Sequence, residues 1–565
     1  MEINFEKIIA QLSKNAIKLY LILANVLLTV FAIWFSNVGL LPFKNFGDFV
    51  FFVILALVFA IYRPGWAFVL FVGMLALENV NLAPTSFGLA VRPYQLLGAL
   101  ILLAIALRFL MGRKVVTFPK LKFYDGLPLL FALGGFVSAF IASNKGSSLK
   151  QAIVAASFVA LYFLVRFYVQ SLDDLKRITS FFLSSSCVVA IYAIWQNARF
   201  AFGKVSFEVM AGRPNGTFTE PDWLGIYLAF LLASLLVWLF YISKNYIKKE
   251  SRPILNLKFE IFNQFFNIQI FKKIVIYTFI TLVMVALILT VSRSAWLGAL
   301  LIVLGFLKIN LLYSEKIVQG ALKKTKFWEG IWQVVKRPWN WKQFLVALKN
   351  ILIVGVVSLG IVFIFRLTNF QLASRAQSTN GMQKITIACD SPVLFVNDRI
   401  ESLSDLAQHN CWHINLEEIV GQKAEGKFVQ EVYRPDPNVG IRAKIYGVAF
   451  EQIKQHSLLG IGWGSISNIL GTDERGAGLN ASNIFLEIWL GSGLLGFLSF
   501  VILLGYIFVS SCGRFVATNG SDVAATFILF GLFAIFIPNL FNSGIFLGFV
   551  WVFLAIAVGL SGKKN

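Results

Sequence analysis

Apolar runs long enough to cross a bilayer recur from about residue 18 to residue 560, and no other feature constrains the fold so tightly. About 20 apolar residues wound as an α-helix span the hydrocarbon core of a membrane. Lipid offers nothing to an unpaired peptide group, so a chain of such runs folds as a helical bundle. The runs fall at about 18–36, 47–62, 66–82, 93–110, 125–143, 149–169, 178–200 and 223–243, then at 274–291, 295–312, 351–366, 483–509, 521–538 and 543–560. The expected fold is therefore an all-α polytopic membrane protein with about 14 transmembrane helices (12–14). With 58% hydrophobic and only 14% charged residues among 565, the chain cannot furnish the polar shell of a soluble globule.

The formal charge of +22 would suggest nucleic acid in a soluble protein. Here its placement matters more, because Lys and Arg in short loops face the cytoplasm. Fourteen spans with both termini cytoplasmic put Arg113, Lys114, Lys120, Lys122, Lys176 and Arg177 inside, with Lys563 and Lys564 at the end. The same assignment leaves only scattered bases outside, such as Lys44, Arg92 and Lys145. Two cytoplasmic segments, 244–273 and 313–350, are basic and aromatic, the second with Trp328, Trp332, Trp339 and Trp341. They read as amphipathic stretches on an anionic leaflet, with membrane lipid as partner and no nucleic acid. Residues 1–18 are polar and the run after Lys18 is long enough to span, so no cleavable signal peptide is expected.

The expected organisation is a first bundle over 1–366, an extracytoplasmic loop region over 367–482, and C-terminal spans over 483–565. The loop region holds strand-like pieces at Ile385–Ala388 and Val393–Val396, so some irregular or β structure is expected there. Cys389 and Cys411 share it and can pair if it lies outside the cytoplasm. A zinc site from Cys389, His409, Cys411 and His413 is an alternative, although the Cys-x-His step does not match usual ligand spacing.

Within so apolar a chain the polar breaks carry the information. Gly212-Arg213-Pro214-Asn215-Gly216-Thr217-Phe218-Thr219-Glu220-Pro221-Asp222 separates two long runs. Its prolines keep it out of either helix and its glycines allow tight turns. Such a break sits at a membrane face or lines a polar cavity, where an arginine can meet an anion or simply lipid headgroups. Ser292-Arg293-Ser294 lies between two runs that nearly touch, and an ionisable group there is a functional candidate by default. Downstream come Arg442-Ala443-Lys444-Ile445-Tyr446, then Leu458-Leu459-Gly460-Ile461-Gly462-Trp463-Gly464, then Ser482-Asn483 through Glu487 to Gly493-Leu494-Leu495-Gly496. The Gly-x-Gly-x-Gly run follows no clear strand and reads as a turn rather than a phosphate loop.

Taken in order, Gly212-Arg213 with Gly216-Thr217-Phe218, Ser292-Arg293-Ser294, Leu458–Gly462 and Ser482–Gly496 resemble the O-antigen ligase and O-antigen polymerase superfamily of bacterial membrane glycosyltransferases. The resemblance covers about 205–500. It implies transfer from a polyprenyl-diphosphate-linked glycan donor to a hydroxyl of a saccharide acceptor. The reaction would take place at the outer face of the bacterial plasma membrane, with inversion and with neither metal nor other cofactor. It also implies that Arg213 and Arg293 hold the diphosphate, which suits guanidinium forks that pair with phosphate oxygens and stay charged. The family commonly has His before the Asn of the last piece, as general base; this chain has Ser482 followed by Asn483. Glu487, Glu220, Asp222, His409, His413 and His456 remain as candidates for that proton. Glu487 reads equally as a structural hydrogen-bond partner. Arg442, Glu220 and Asp222 are candidate substrate contacts.

Two other readings stay open. Oligosaccharide transfer onto protein would differ only in its acceptor. A transporter or flippase of lipid-linked saccharides predicts internal repeats and interrupted helices, and no repeat is evident in the sequence.

Overall fold

The computed structural model describes residues 5–113, 119–210, 212–250, 268–312, 339–367, 382–414, 418–435, 437–472, 478–518 and 520–561. Most of the two basic segments, with Trp328 and Trp332, lies outside the described residues. The helices are α1 (Phe5–Asn37), α2 (Phe46–Tyr62), α3 (Pro64–Met74), α4 (Pro93–Leu110), α5 (Phe123–Ile141), α6 (Lys145–Tyr168), α7 (Leu172–Ala201), α8 (Pro221–Glu250), α9 (Ile268–Leu289), α10 (Arg293–Leu312) and α11 (Trp341–Ile364). After these comes a small module of β1 (Met382–Cys389), α12 (Ser404–Gln408), β2 (Cys411–His413), α13 (Ile419–Ala424) and β3 (Phe428–Pro435). Then follow α14 (Pro437–Gln455), α15 (Ile466–Leu470), α16 (Ile484–Ala517), α17 (Val523–Asn539) and α18 (Gly548–Ser561).

Ten of the described helices are long and apolar enough to cross a membrane, and α2, α3, α17 and α18 are shorter apolar helices. The protein is a multi-pass, mostly helical membrane protein. Helix α8 is its centre: 78% of its apolar window is buried, against 22% for α11 and 17% for α1, whose flanks are left to lipid. Large rings fill the space around it, with Phe218, Tyr227 and Phe549 fully enclosed. Tyr227 meets Phe549 edge-on at 5.2 Å.

The apolar run 66–82 does not form one helix. Helix α3 stops at Met74, because Glu78, Asn79, Asn81 and Pro84 follow in close succession. At 1.5 Å per residue, α3 covers only about 16 Å and α18 about 21 Å, both short of a bilayer. The remainder of each crossing is irregular, so its peptide groups need protein partners. Glu78 supplies several at once. One carboxylate oxygen accepts from the Gly548 amide at the start of α18 (2.6 Å), and the other from Tyr94 Oη (2.8 Å). Arg92 completes the pairing, with its Nε 3.1 Å from the same carboxylate. The open end of α3 thus closes the open end of α18.

A second interruption lies in α16, where Gly493 takes φ 64° and breaks the helical ladder. The amides and carbonyls freed there are taken up by 457–462. Leu490 O accepts from the amides of Ile461 (2.7 Å) and Gly462 (3.2 Å), and the Leu494 amide donates to Leu458 O (3.0 Å). Trp489 Nε1 donates to Ser457 O at 2.9 Å. Gly460 has φ 71°, and a Cβ there would stand 2.5 Å from Leu490 O, so only glycine brings the two backbones this close. The turn lies just before the Gly-x-Gly-x-Gly run, at 457–459, while the run itself is irregular over 460–462 and 3-10 helical from Trp463; turn and run together plug the broken helix.

In the small module the three strands form an antiparallel sheet ordered β2-β1-β3. Cys389 pairs with Cys411 across β1 and β2 and forms a disulfide with it. Both thiolates are consumed, which removes the zinc alternative. One face of the sheet packs Ile385, Ile387 and Val432 against Ile400 and Leu406.

Removing the Glu78 carboxylate leaves the half-buried Arg92 without its carboxylate partner and the Gly548 amide without its acceptor. Glu78→Ala is expected to cost about 3–5 kcal/mol. Glu78→Gln, which keeps the acceptor, should cost less. Thermal unfolding of the detergent-solubilised protein measures both.

Candidate functional site

Helices alternate in direction, so the junctions at 202–220, 290–292, 471–483 and 540–547 fall at one end of the bundle. Three helix N-termini start there, at Pro221, Arg293 and Ile484. Each brings the positive end of a peptide dipole, so this end favours anions.

The loop carrying Arg213 is buried from Gly212 to Phe218. Helix α7 makes that burial affordable by placing Gln196 and Asn197, both fully buried, at the end of its apolar run. Gln196 accepts from the Gly216 amide (2.8 Å), and Asn197 donates to Gly212 O (3.2 Å). On the other side, the Asn79 amide donates to Thr217 O at 2.8 Å, and Thr217 Oγ1 donates to Ala76 O. The loop is therefore clamped between α7 and the irregular strand that Glu78 holds.

Arg213 is 8% exposed. Its Nε donates to Thr290 O at 2.9 Å, one terminal nitrogen reaches Met210 Sδ at 3.4 Å, and the other pairs with Asp222 Oδ1 at 3.3 Å. Three of the five N–H donors of a guanidinium are thereby engaged, and Asp222, whose side chain is 29% exposed, marks the open side. Thr290 lies three residues before Arg293. The two arginine motifs, 80 positions apart in the chain, thus share one turn of backbone. Arg293 begins α10 and is exposed. Glu220 is half-buried immediately before α8.

The turn itself is strained. Val291 has φ 52°, the left-handed region that a β-branched side chain avoids at a cost of about 1–2 kcal/mol. The turn is held by Thr290 Oγ1, which donates to Leu287 O (2.8 Å), by Trp296 Nε1 on the same oxygen (2.9 Å), and by Arg213. Ser482 is also left-handed, at φ 49°. Strain of this kind persists only where surroundings over-determine it, and it concentrates at functional sites.

Ser482 and Asn483 reach the arginines through the α17–α18 junction. Asn483 caps α16, accepting from the amides of Phe485 (2.9 Å) and Leu486 (3.3 Å), and donates to Leu540 O at 3.1 Å. Two residues on, Asn542 donates to Ser294 Oγ at 2.9 Å, next to Arg293. Glu487 is buried and its Oε2 accepts from the Ala481 amide at 2.7 Å, so it braces the turn that bears Ser482. Tyr446 Oη donates to Ser482 O at 3.2 Å. Arg442, exposed one helical turn earlier on α14, shares that stripe.

His409 packs edge-on against Phe395 inside the sheet module (5.3 Å), His413 is on β2, and His456 is exposed just after α14. Residues not singled out from the sequence carry much of the architecture: Thr290, Gln196, Asn197, Asn542 and Glu78. Their signal was polarity inside or between apolar runs, which marks intramembrane function or packing without saying which.

A family model described as O-antigen ligase matches residues 277–501. Over that stretch the chain is similar to the O-antigen ligase family. Arg293, Arg442, Ser482, Asn483 and Glu487 fall inside the matched stretch, and Arg213 lies upstream of it. No curated protein and no solved structure matches the chain.

The brace made by Glu487 has a direct readout. Glu487→Ala should speed hydrogen exchange at the Ala481 amide by at least tenfold, for a lost bond of about 1–3 kcal/mol. Glu487→Gln should leave it near the wild-type rate.

Proposed function

We propose that this protein, which carries an O-antigen ligase-type segment, transfers a polyprenyl-diphosphate-linked saccharide to a sugar hydroxyl. The transfer takes place at the outer face of the bacterial plasma membrane, with inversion and without metal. The observation that carries this reading is the hydrogen bond from Arg213 to Thr290 O, which fixes two separate arginine motifs on one turn. Outer-face placement is supported by the Cys389–Cys411 disulfide, a bond that persists in oxidising compartments. The crowding of basic residues in the loops of the opposite end agrees, with both termini on that cytoplasmic side.

In the proposed reaction the diphosphate oxygens replace Asp222 on the open side of Arg213, and Arg293 meets them from the start of α10. Charge grows on the diphosphate as the glycosidic C–O bond breaks, and fixed guanidinium and helix-terminal amides stabilise that growth. The acceptor hydroxyl attacks from the opposite face of the sugar ring. A carboxylate paired to the leaving-group arginine is on the wrong side to take its proton, so Asp222 serves as the resting counter-ion. Glu487 and Asn483 hold the Ser482 turn beside the acceptor, and Arg442 with Glu220 contacts substrate at the rim. Diphosphate is a good leaving group, so the hydroxyl can lose its proton late, to solvent water at the open side, without a strong base at position 482.

A flippase of lipid-linked saccharides is the second reading, favoured by the interruption of α16 at Gly493. Chemistry separates the two: a transferase in lipid converts donor to free polyprenyl diphosphate, and a flippase leaves it intact.

Arg213→Ala and Arg293→Ala should each lower transfer by about 10²–10³ or more while the protein remains in the membrane. Lys at either site should recover only part, because it lacks the fork. Wild-type rates from either alanine variant would defeat the assignment. Ser482→His should fold, since His tolerates left-handed φ better than most residues. Its transfer rate is expected to match wild type across neutral pH, and a large gain would show that proton removal limits this chain.

A further inference from the structure

The sheet module has two unlike faces. Cys411 and His413 of β2 share a face with Ile387 and Cys389, whereas Trp412, between them, points the other way with Ala388 and Val429. On that second face Trp412 keeps 37% of its surface exposed. Lys427 Nζ lies over one side of the Trp412 ring, 5.5 Å from its centroid, and pairs with Asp390 at 2.7 Å, which leaves the rest of the exposed ring for a ligand. Further along the same face Lys384 pairs with Glu431. The backbone beneath is fixed by the disulfide that joins the residue before Trp412 to the central strand.

We propose that this face is a saccharide-binding platform, separate from the arginine site, that holds an extended glycan chain of the donor or product. The inference rests on the transferase reading for the identity of the sugar chain. An aromatic ring presents an apolar surface that matches the C–H face of a pyranose, and a neighbouring carboxylate and ammonium accept from and donate to its hydroxyls. Ring and ion pair are held before any ligand arrives, so little ordering cost opposes binding. Charge favours an uncharged polyhydroxyl over a membrane surface. Asp390, Lys427, Lys384 and Glu431 sum to zero, which gives an anionic leaflet nothing to attract.

The probe is the glycan released by mild acid from the polyprenyl-diphosphate pool of the host cell, added to the full-length protein in nanodiscs. Hydrogen exchange should show protection at 410–414 and 427–431 on addition of glycan. Trp412→Ala and Asp390→Ala should each weaken binding at least tenfold, and Trp412→Phe should recover much of it. Transfer of a single repeat unit should be unchanged in these variants, while use of long chains falls. Wild-type affinity in Trp412→Ala overturns the proposal. So does protection of the same peptides by nanodisc lipid alone, which would make the face a membrane contact, or a Trp412→Phe variant as weak as alanine despite an intact disulfide. Absence of transfer by wild-type protein would instead strike the function proposed above and leave the binding result to stand by itself.

Discussion

The structure depends on one constraint: irregular backbone inside an apolar bundle must find every hydrogen-bond partner within the protein. Three places meet it in three ways. Glu78 uses a carboxylate to join the end of α3 to the start of α18. The break in α16 uses another stretch of backbone, 457–462, as its partner. The Arg213 loop uses the amide side chains of Gln196 and Asn197. Each solution lets a polar segment lie buried against apolar helices.

The same constraint builds the site. Arg213 can be nearly buried because a backbone carbonyl, a thioether and a carboxylate receive its donors. Its anchor is the carbonyl of Thr290, so the loop that carries one arginine is registered against the turn that launches the other. The left-handed Val291 and Ser482 are tolerated for the same reason, since several hydrogen bonds converge on each turn. A loose loop with the same residues would leave the arginines to lipid headgroups.

Much of the bundle was legible beforehand. Helix α4 occupies the span read at 93–110, and the spans at 47–62 and 295–312 begin within two residues of α2 and α10. Long uniform apolar runs admit only one secondary structure, so their positions follow from composition. The run 66–82 departs from a single helix for a physical reason. Hydropathy adds Glu78 and Asn79 to their apolar neighbours, while the helix ends at Met74, Glu78 turns to the Gly548 amide and Asn79 to Thr217 O. Glu487 shows the reverse limit. The sequence leaves it either a proton acceptor or a structural hydrogen-bond partner, and only the structure shows that it binds the Ala481 amide.

By itself, then, the sequence determined a polytopic helical protein, the polar breaks where chemistry can occur, and a cysteine pair able to close. Those properties are local: they follow from run length, residue type and the cost of polar groups in lipid. The tertiary structure alone decided that the Arg213 loop docks on Thr290, that Asn542 and Asn483 link α10 to α16, and that the stretch 457–462 plugs α16. Each is a contact between segments distant in the chain. Its partner is set by which hydrogen-bonding group remains unsatisfied after the helices have packed, and no local pattern encodes that.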